Sequence, residues 1–177
     1  DSSCLVHLTP SDACPTANDF WTLLDEWKQK TSNLYVFEYF PVSWIGGLYC
    51  PIYIQMTESV KLLHARGVKG IMVDHGPRRD ASNFLLRYLE ARFYADPDRD
   101  VHQEIRDVCE KFFGPAGATM NEYFVTMAEY NPSIDLRFGT DGYEELFIPE
   151  VVKQGRALLD RADSELRDSA DPKWRKR

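Results

Sequence analysis

The sequence has few features of a nucleic-acid-binding or membrane-spanning protein. Its 21 Lys and Arg are outnumbered by 28 Asp and Glu, and the net charge of −7 argues against a surface that neutralises phosphates. The one basic run, KWRKR at residues 173–177, is better explained as a helix end than as a nucleic-acid tail. No apolar run approaches the roughly 20 residues that span a bilayer. We therefore expect no nucleic-acid partner and no membrane span.

Cysteine is scarce, and its spacing does not match the usual zinc sites. The four cysteines include no CxxC pair. Cys4 and Cys14 are close enough in sequence to bridge a short loop, but buried free thiols explain them equally well. The chain also lacks an Asn-x-Ser/Thr glycosylation site, since Pro132 follows Asn131. We expect neither a metal nor another cofactor.

Three short apolar segments recur at nearly constant spacing, at residues 4–8, 34–39 and 70–74. Apolar residues at helical spacing separate them: residues 18–30, with Asn18 as the expected N-cap, and a second helix that starts near Pro51 and stops at Gly67. The repeat length is that of a strand with its crossover helix. Strands this apolar are typical of a parallel sheet that is buried on both faces.

Three βα units cannot close a barrel, because a closed TIM-type barrel needs eight. We therefore interpret residues 1–78 as the last three βα units of a TIM-type (β/α)8 barrel, within an α/β fold, and residues 79–177 as a C-terminal α-helical region. A small, independent α/β domain is the alternative.

The second region shows helical periodicity without strands. One helix carries apolar residues from Phe84 to Phe93, and Asp100 caps the next, which Gly114 and Pro115 end. A third helix carries apolar residues from Met120 to Met127. We expect a last long helix over about residues 143–168, with Pro149 as a kink or restart.

Candidate site residues follow the predicted strands, since the loops after parallel strands converge on one side of the sheet. Glu38 and Asp74 are the predicted catalytic pair, because a carboxylate at the end of an apolar strand is costly to bury without a task or a partner. In a glycosidase, one carboxyl protonates the leaving oxygen while a second group attacks or stabilises the sugar. The alternative is that both pair with Arg78 and close the barrel mouth.

The remaining candidates are predicted to contact a substrate. The loop at residues 41–50 carries Trp44 and Tyr49 beside two glycines, which suits stacking against a sugar ring; plugging of the barrel mouth explains them equally well. His7 is interpreted as a ligand for a sugar hydroxyl, with a satisfied structural histidine as the alternative. The complete predicted substrate-binding set is His7, Tyr39, Trp44, Tyr49, His75 and Arg78.

Several strings resemble a known family. LYVFEY at residues 34–39, the segment 67–76, LRYLEARFYADPDRD at 86–100 and FFGPA at 112–116 resemble the core of the domain-of-unknown-function family 4838. The spacing of Cys4, His7, Asp12, Cys14 and Asn18 is similar to the segment that precedes that core. The resemblance covers residues 4 to about 130 and depends on the order and spacing of the motifs rather than on any one of them.

The resemblance implies a barrel-type glycoside hydrolase, similar to glycoside hydrolase family 163. Members of that family include endo-β-N-acetylglucosaminidases that cut N-glycans, usually secreted or surface-attached in glycan-degrading bacteria. From it we expect retaining hydrolysis of an N-glycan-type oligosaccharide and a secreted, periplasmic or cell-surface location, with any signal peptide upstream or removed. The family tends to have Asp at the position of Glu38 and a Glu-Gln pair at Asp74 and His75.

A non-catalytic carbohydrate-binding or structural relative of such an enzyme is the alternative function. We expect this chain alone to be inactive. Exposed strand edges predict that it needs an upstream barrel segment or an oligomer partner.

Overall fold

A computed structural model of the chain describes residues 8–10, 14–38, 49, 51–73, 81–130 and 147–175. These residues divide into two compact units. The first contains the described residues up to Arg99, and the second contains those from Asp100 onward.

The first unit combines three helices with a two-stranded sheet. In chain order its elements are α1 (Pro15–Lys28), β1 (Tyr35–Glu38), α2 (Tyr53–Ala65), β2 (Gly70–Val73), a 3-10 turn (Ala81–Asn83) and α3 (Phe84–Ala95).

The starts and stops of these helices follow local chemistry. The prediction that Asn18 caps α1 is wrong: α1 begins at Pro15, where the fixed φ of proline and its missing N–H suit the first turn. Helix α2 begins two residues after Pro51, and Gly67, with φ of 81°, lies just past its C-terminus as predicted. Helix α3 ends at Ala95, directly before Asp96 and Pro97.

The two strands pair in parallel, with α2 as the connection between them. Val36 is the register partner of Ile71, and Glu38 is the partner of Val73. Side chains alternate along a strand, so Val36 and Glu38 share one face of the sheet, while Tyr35 and Phe37 share the other.

The predicted fold class, a TIM-type barrel portion with three βα units, is wrong. The described residues are mostly helical and contain two short parallel strands. Of the first predicted strand, residues 4–7 lie outside the described part of the chain, and Leu8 is not in a strand. The strands are also not buried on both faces, because Tyr35 is 73% exposed and Met72 is 62% exposed. Apolar composition predicts burial on both faces, but here helices cover only one face.

The core of the first unit lies on the covered face of the sheet. Trp21 and Leu24 of α1 pack with Val36 of β1 and Leu63 of α2. Helix α3 packs against α2, and its Leu89 and Phe93 are fully buried. Burying each such side chain contributes about 1.5–3 kcal/mol, so this shared contact surface holds the sheet to its helices.

The second unit is helical. In chain order its elements are α4 (Val101–Phe113), a 3-10 turn (Gly114–Ala116), α5 (Gly117–Glu129), α6 (Pro149–Arg167) and a short α7 (Pro172–Arg175). The predicted cap of α4 is confirmed, since the Asp100 carboxylate accepts hydrogen bonds from the backbone N–H groups of His102 and Gln103 at 2.9 and 3.1 Å.

The long helix α6 begins at Pro149, the predicted restart; residues 143–146 of the predicted span lie outside the described part of the chain. Ile148 has extended backbone angles and α6 starts at Pro149, so the proline begins the helix instead of kinking it. None of the helices in the described ranges is long and apolar enough to cross a membrane.

Helix α5 packs against both α4 and α6, and its contact with α6 combines a glycine with a group of polar side chains. A Cβ on Gly155 of α6 would lie 3.1 Å from the Met127 sulfur of α5, so the glycine allows close approach. Beside it, the Thr119 hydroxyl donates to Glu165 at 2.8 Å and accepts from Arg161 at 3.0 Å. The buried Thr119 hydroxyl therefore both donates and accepts a hydrogen bond.

Candidate functional site

Glu38 is the last residue of β1 and lies on the sheet face that the helices cover. Its side chain is partly buried. Burial raises the pKa of Glu38 from its ordinary value of 4.5 to about 7, because the ionised form loses solvation. Near neutral pH this carboxyl group therefore both donates and accepts a proton.

A second carboxyl group with the same property lies on α3. Glu90 is only 4% exposed, and burial raises its pKa to about 7. The Arg87 guanidinium opposes this rise: its Nη1 lies 3.5 Å from Glu90 Oε2, and its positive charge and hydrogen bond favour the ionised form. Desolvation is the larger of the two effects.

The charges of both carboxyl groups affect the pKa of Tyr94 on α3. Its pKa is raised well above the ordinary value of 10, first by burial and then by the negative charges of Glu90 and Glu38. Both carboxylates are thus close enough to influence one phenolic oxygen, and the hydroxyl keeps its proton throughout the physiological range.

Glu38, Glu90, Tyr94 and Arg87, which we call the carboxyl cluster, have the chemistry of a proton-transfer site. Perturbed acid groups gathered at one place are more frequent at functional sites than elsewhere. Two acids that titrate near pH 7 suit general acid–base catalysis at neutral pH.

The described residues offer little alternative chemistry. They contain no group of three or more His, Cys, Asp or Glu side chains arranged to hold a metal ion. Cys109 is fully buried in α4, and burial raises the pKa of its thiol to about 12, so it is a poor nucleophile.

A cleft of about 270 Å³ adjoins the cluster on the side where β2 begins. Tyr94 and Phe93 of α3 line it together with Ile71 of β2 and His64 of α2. The cleft therefore lies between α2, α3 and the start of β2.

Two of the sequence-predicted site residues lie in the described part of the chain. Glu38 has the perturbed acidity described above, and it faces the helical layer. The Tyr49 hydroxyl is 2.9 Å from the Tyr53 hydroxyl at the start of α2, so it is held by a hydrogen bond. The remaining candidates lie outside the described residues and stay predictions: His7, Tyr39, Trp44, Asp74, His75 and Arg78.

Sequence reasoning missed the contribution of α3. A signal for it was present: Glu90 is spaced four residues after Leu86 and three before Phe93, which places it on the buried stripe of the helix. A glutamate on such a stripe needs a partner or a function.

Comparison with protein families gives an assignment over most of this region. Residues 6–126 match the family described as a domain of unknown function, DUF4838. The chain belongs to DUF4838. The DUF4838 match includes both strands and the whole carboxyl cluster, and it ends within α5. Searches of curated proteins and of solved structures gave no match to the chain.

Proposed function

We propose that this DUF4838 chain is part of a glycoside hydrolase in which Glu38 is the acid that protonates the leaving oxygen. The observation that carries the proposal is the Glu38 carboxyl at the carboxyl end of β1, with its pKa raised to about 7 by burial. A general acid must hold its proton at the working pH, and an ordinary glutamate does not. The sequence resemblance to glycoside hydrolase family 163 supports the same reaction class.

The proposed chemistry is retaining hydrolysis with two carboxyl groups. Glu38 gives its proton to the glycosidic oxygen as that bond breaks, while the second carboxylate bonds to the anomeric carbon. Water then cleaves this glycosyl ester, with Glu38 taking the proton of the water. Asp74 is the proposed second carboxylate, because it directly follows the last residue of β2 and the parallel strands end at the same edge of the sheet as Glu38.

The proposed substrate is a glycan that contains N-acetylglucosamine, cut by endo-β-N-acetylglucosaminidase action, and the proposed location is secreted, periplasmic or cell-surface. Both come from the family resemblance. An oligosaccharide is then the principal partner, and the active site is completed by an upstream segment or a second copy.

A non-catalytic carbohydrate-binding role is the second candidate. The observation that favours it is the side from which Glu38 projects: it shares the helix-covered face with Val36, whereas Tyr35 and Phe37 expose aromatic rings on the opposite face. Exposed aromatic rings on a strand suit stacking against sugar rings without catalysis.

The experiment uses the complete protein that carries this chain, with an N-glycan-type oligosaccharide and an activated aryl glycoside as substrates. Glu38→Gln should lower kcat on the oligosaccharide by about 10²–10⁴-fold, because its leaving oxygen needs a proton. The aryl glycoside has a good leaving group, so kcat on this substrate should fall far less. Glu58→Gln, on the exposed side of α2, is the matched control and should leave both rates unchanged.

The result also separates the two candidates. Equal losses on both substrates, or no loss on either, would contradict the acid role of Glu38. Glycan binding that Tyr35→Ala weakens, in a protein that hydrolyses neither substrate, would favour the binding role.

A further inference from the structure

One edge of β1 borders an apolar cleft of about 280 Å³, which we call the edge cleft. Leu23, Leu24 and Trp27 of α1 line it together with residues 34–37. Successive side chains of a strand point to opposite faces, so a cleft that contacts four successive residues lies at an edge of the strand. None of the described residues of β2 lines this cleft, which places it at the edge of β1 that faces away from β2.

The same edge carries backbone groups that suit pairing with a further strand. Within the described ranges the sheet consists of β1 and β2, and their ladder uses the N–H and C=O groups on one side of β1. The other row of backbone groups, over residues 35–38, points toward the edge cleft. A row of this kind is a template for the addition of an extended segment.

The side chains around the edge cleft are apolar and open to solvent. Leu23 and Trp27 of α1 are 54% and 53% exposed, and they lie one helical turn apart on the same side of the helix. Tyr35 and Phe37 of β1 are 73% and 44% exposed. An extended segment with apolar side chains would therefore gain backbone hydrogen bonds from β1 and apolar contacts from α1 at the same time.

We propose that a strand from another segment of the same polypeptide adds to this edge of β1, with an aliphatic side chain seated in the edge cleft between Leu23 and Trp27. The added strand extends the sheet and covers the apolar side chains of α1 that water now contacts. This strand addition does not depend on the glycosidase chemistry proposed above.

A second copy of the chain fits this edge less well than a single strand. Paired strands lie only about 4.8 Å apart, whereas neighbouring helix axes need about 8–10 Å. Helix α1 lies beside this edge, because it lines the edge cleft, so pairing two copies here would bring both α1 helices into the same space. Each copy also has a net charge of −7, which opposes self-association.

The test is hydrogen exchange of the β1 amides in the complete protein that carries this chain, at a low and a high protein concentration. The amides of residues 35–38 that point away from β2 should exchange as slowly as those that point toward it, and equally slowly at both concentrations. Fast exchange of the outward amides would overturn the proposal, since the edge would then be open to water. Slow exchange at the high concentration alone would also overturn it, because it would assign the edge to a second copy.

Leu23→Asp tests the contact between the added strand and α1. The new charge lies in the edge cleft, so this variant should lower the Tm by about 4 °C or more and speed exchange of the outward β1 amides. Leu159→Asp, at a leucine of α6 that is 39% exposed, is the matched control and should lower the Tm by about 2 °C or less.

Equal losses of Tm in the two variants would contradict the proposal, because Leu23 would then behave as an ordinary surface residue. The exchange measurement uses the wild-type protein, so it decides the question even if Leu23→Asp does not fold.

Discussion

The burial of Glu90 predicts that a single glutamate-to-glutamine change makes the protein more stable at alkaline pH. The pKa of Glu90 is about 7 in the folded chain and 4.5 when solvated. Between these values the folded state binds more protons than the unfolded state, so stability falls as pH rises from about 4.5 to 7. Above about pH 7 the whole of this stability is lost. The difference between the two pKa values corresponds to a loss of about 3 kcal/mol at most.

Glu90→Gln removes the ionisation but keeps the shape of the side chain. At pH 5 the variant should be as stable as the wild type, or slightly less stable, because the wild-type carboxyl is then protonated. At pH 8 it should be more stable by about 3 kcal/mol, since the pKa of about 7 already includes the opposing effect of Arg87.

Urea unfolding at pH 5, 6, 7 and 8, followed by far-UV circular dichroism, measures this difference directly. Hydrogen exchange of the α3 amides assigns it to the first unit. The exposed Glu58→Gln is the control and should follow the wild type at every pH. If the free energy of unfolding changed in parallel for Glu90→Gln and wild type from pH 5 to 8, the reasoning would be refuted. Such a result would show that Glu90 does not titrate abnormally.

Two further predictions concern local structure in the second unit. Gly114→Ala should lower stability by about 1–3 kcal/mol in thermal unfolding, because the added Cβ would lie 2.5 Å from the Trp174 ring and φ is 53°. Gly67→Ala is the control and should lower stability less, because φ is 81° there but no atom lies within 4 Å of the added Cβ. Equal losses of stability in the two variants would contradict the role of Trp174. Asp100→Ala should lower the Tm while Asp100→Asn retains most of it. The pKa of Asp100 is lowered by backbone N–H groups of α4, chiefly that of Gln103. The stability that the Asp100 carboxylate contributes is therefore present above its ordinary pKa and is lost as pH falls through the lowered value. A Tm difference between Asp100→Ala and wild type that is the same at pH 2 and pH 7 would contradict this.

The candidate site was predictable from the sequence in part. Glu38 was selected because an acidic residue at the end of an apolar strand is costly to bury; burial raises its pKa, and its catalytic role stays a prediction. The α3 contribution was missed, because the rule that places reactive groups at strand ends does not select residues within a helix. The DUF4838 assignment agrees with the family resemblance that the motifs indicated.

The helix boundaries that the sequence determined are those set within one turn of the chain. The Asp100 cap, the stop at Gly67 and the end of α3 before Asp96 each depend on residues a few positions apart. The restart at Pro149 is equally local. The one wrong start, at Pro15, has the same cause, because this proline occupies the first helical position and the hydrophobic periodicity alone did not reveal it.

Only the tertiary structure decided how the strands are covered and what surrounds Glu38. The apolar segments at 34–39 and 70–74 have the composition of strands buried on both faces, yet helices cover one face and Tyr35 and Met72 remain exposed on the other. Burial depends on which distant elements pack against a strand, and composition does not contain that information. The same holds for Glu90: only the tertiary packing of α3, which contacts α2, removes its carboxyl group from solvent.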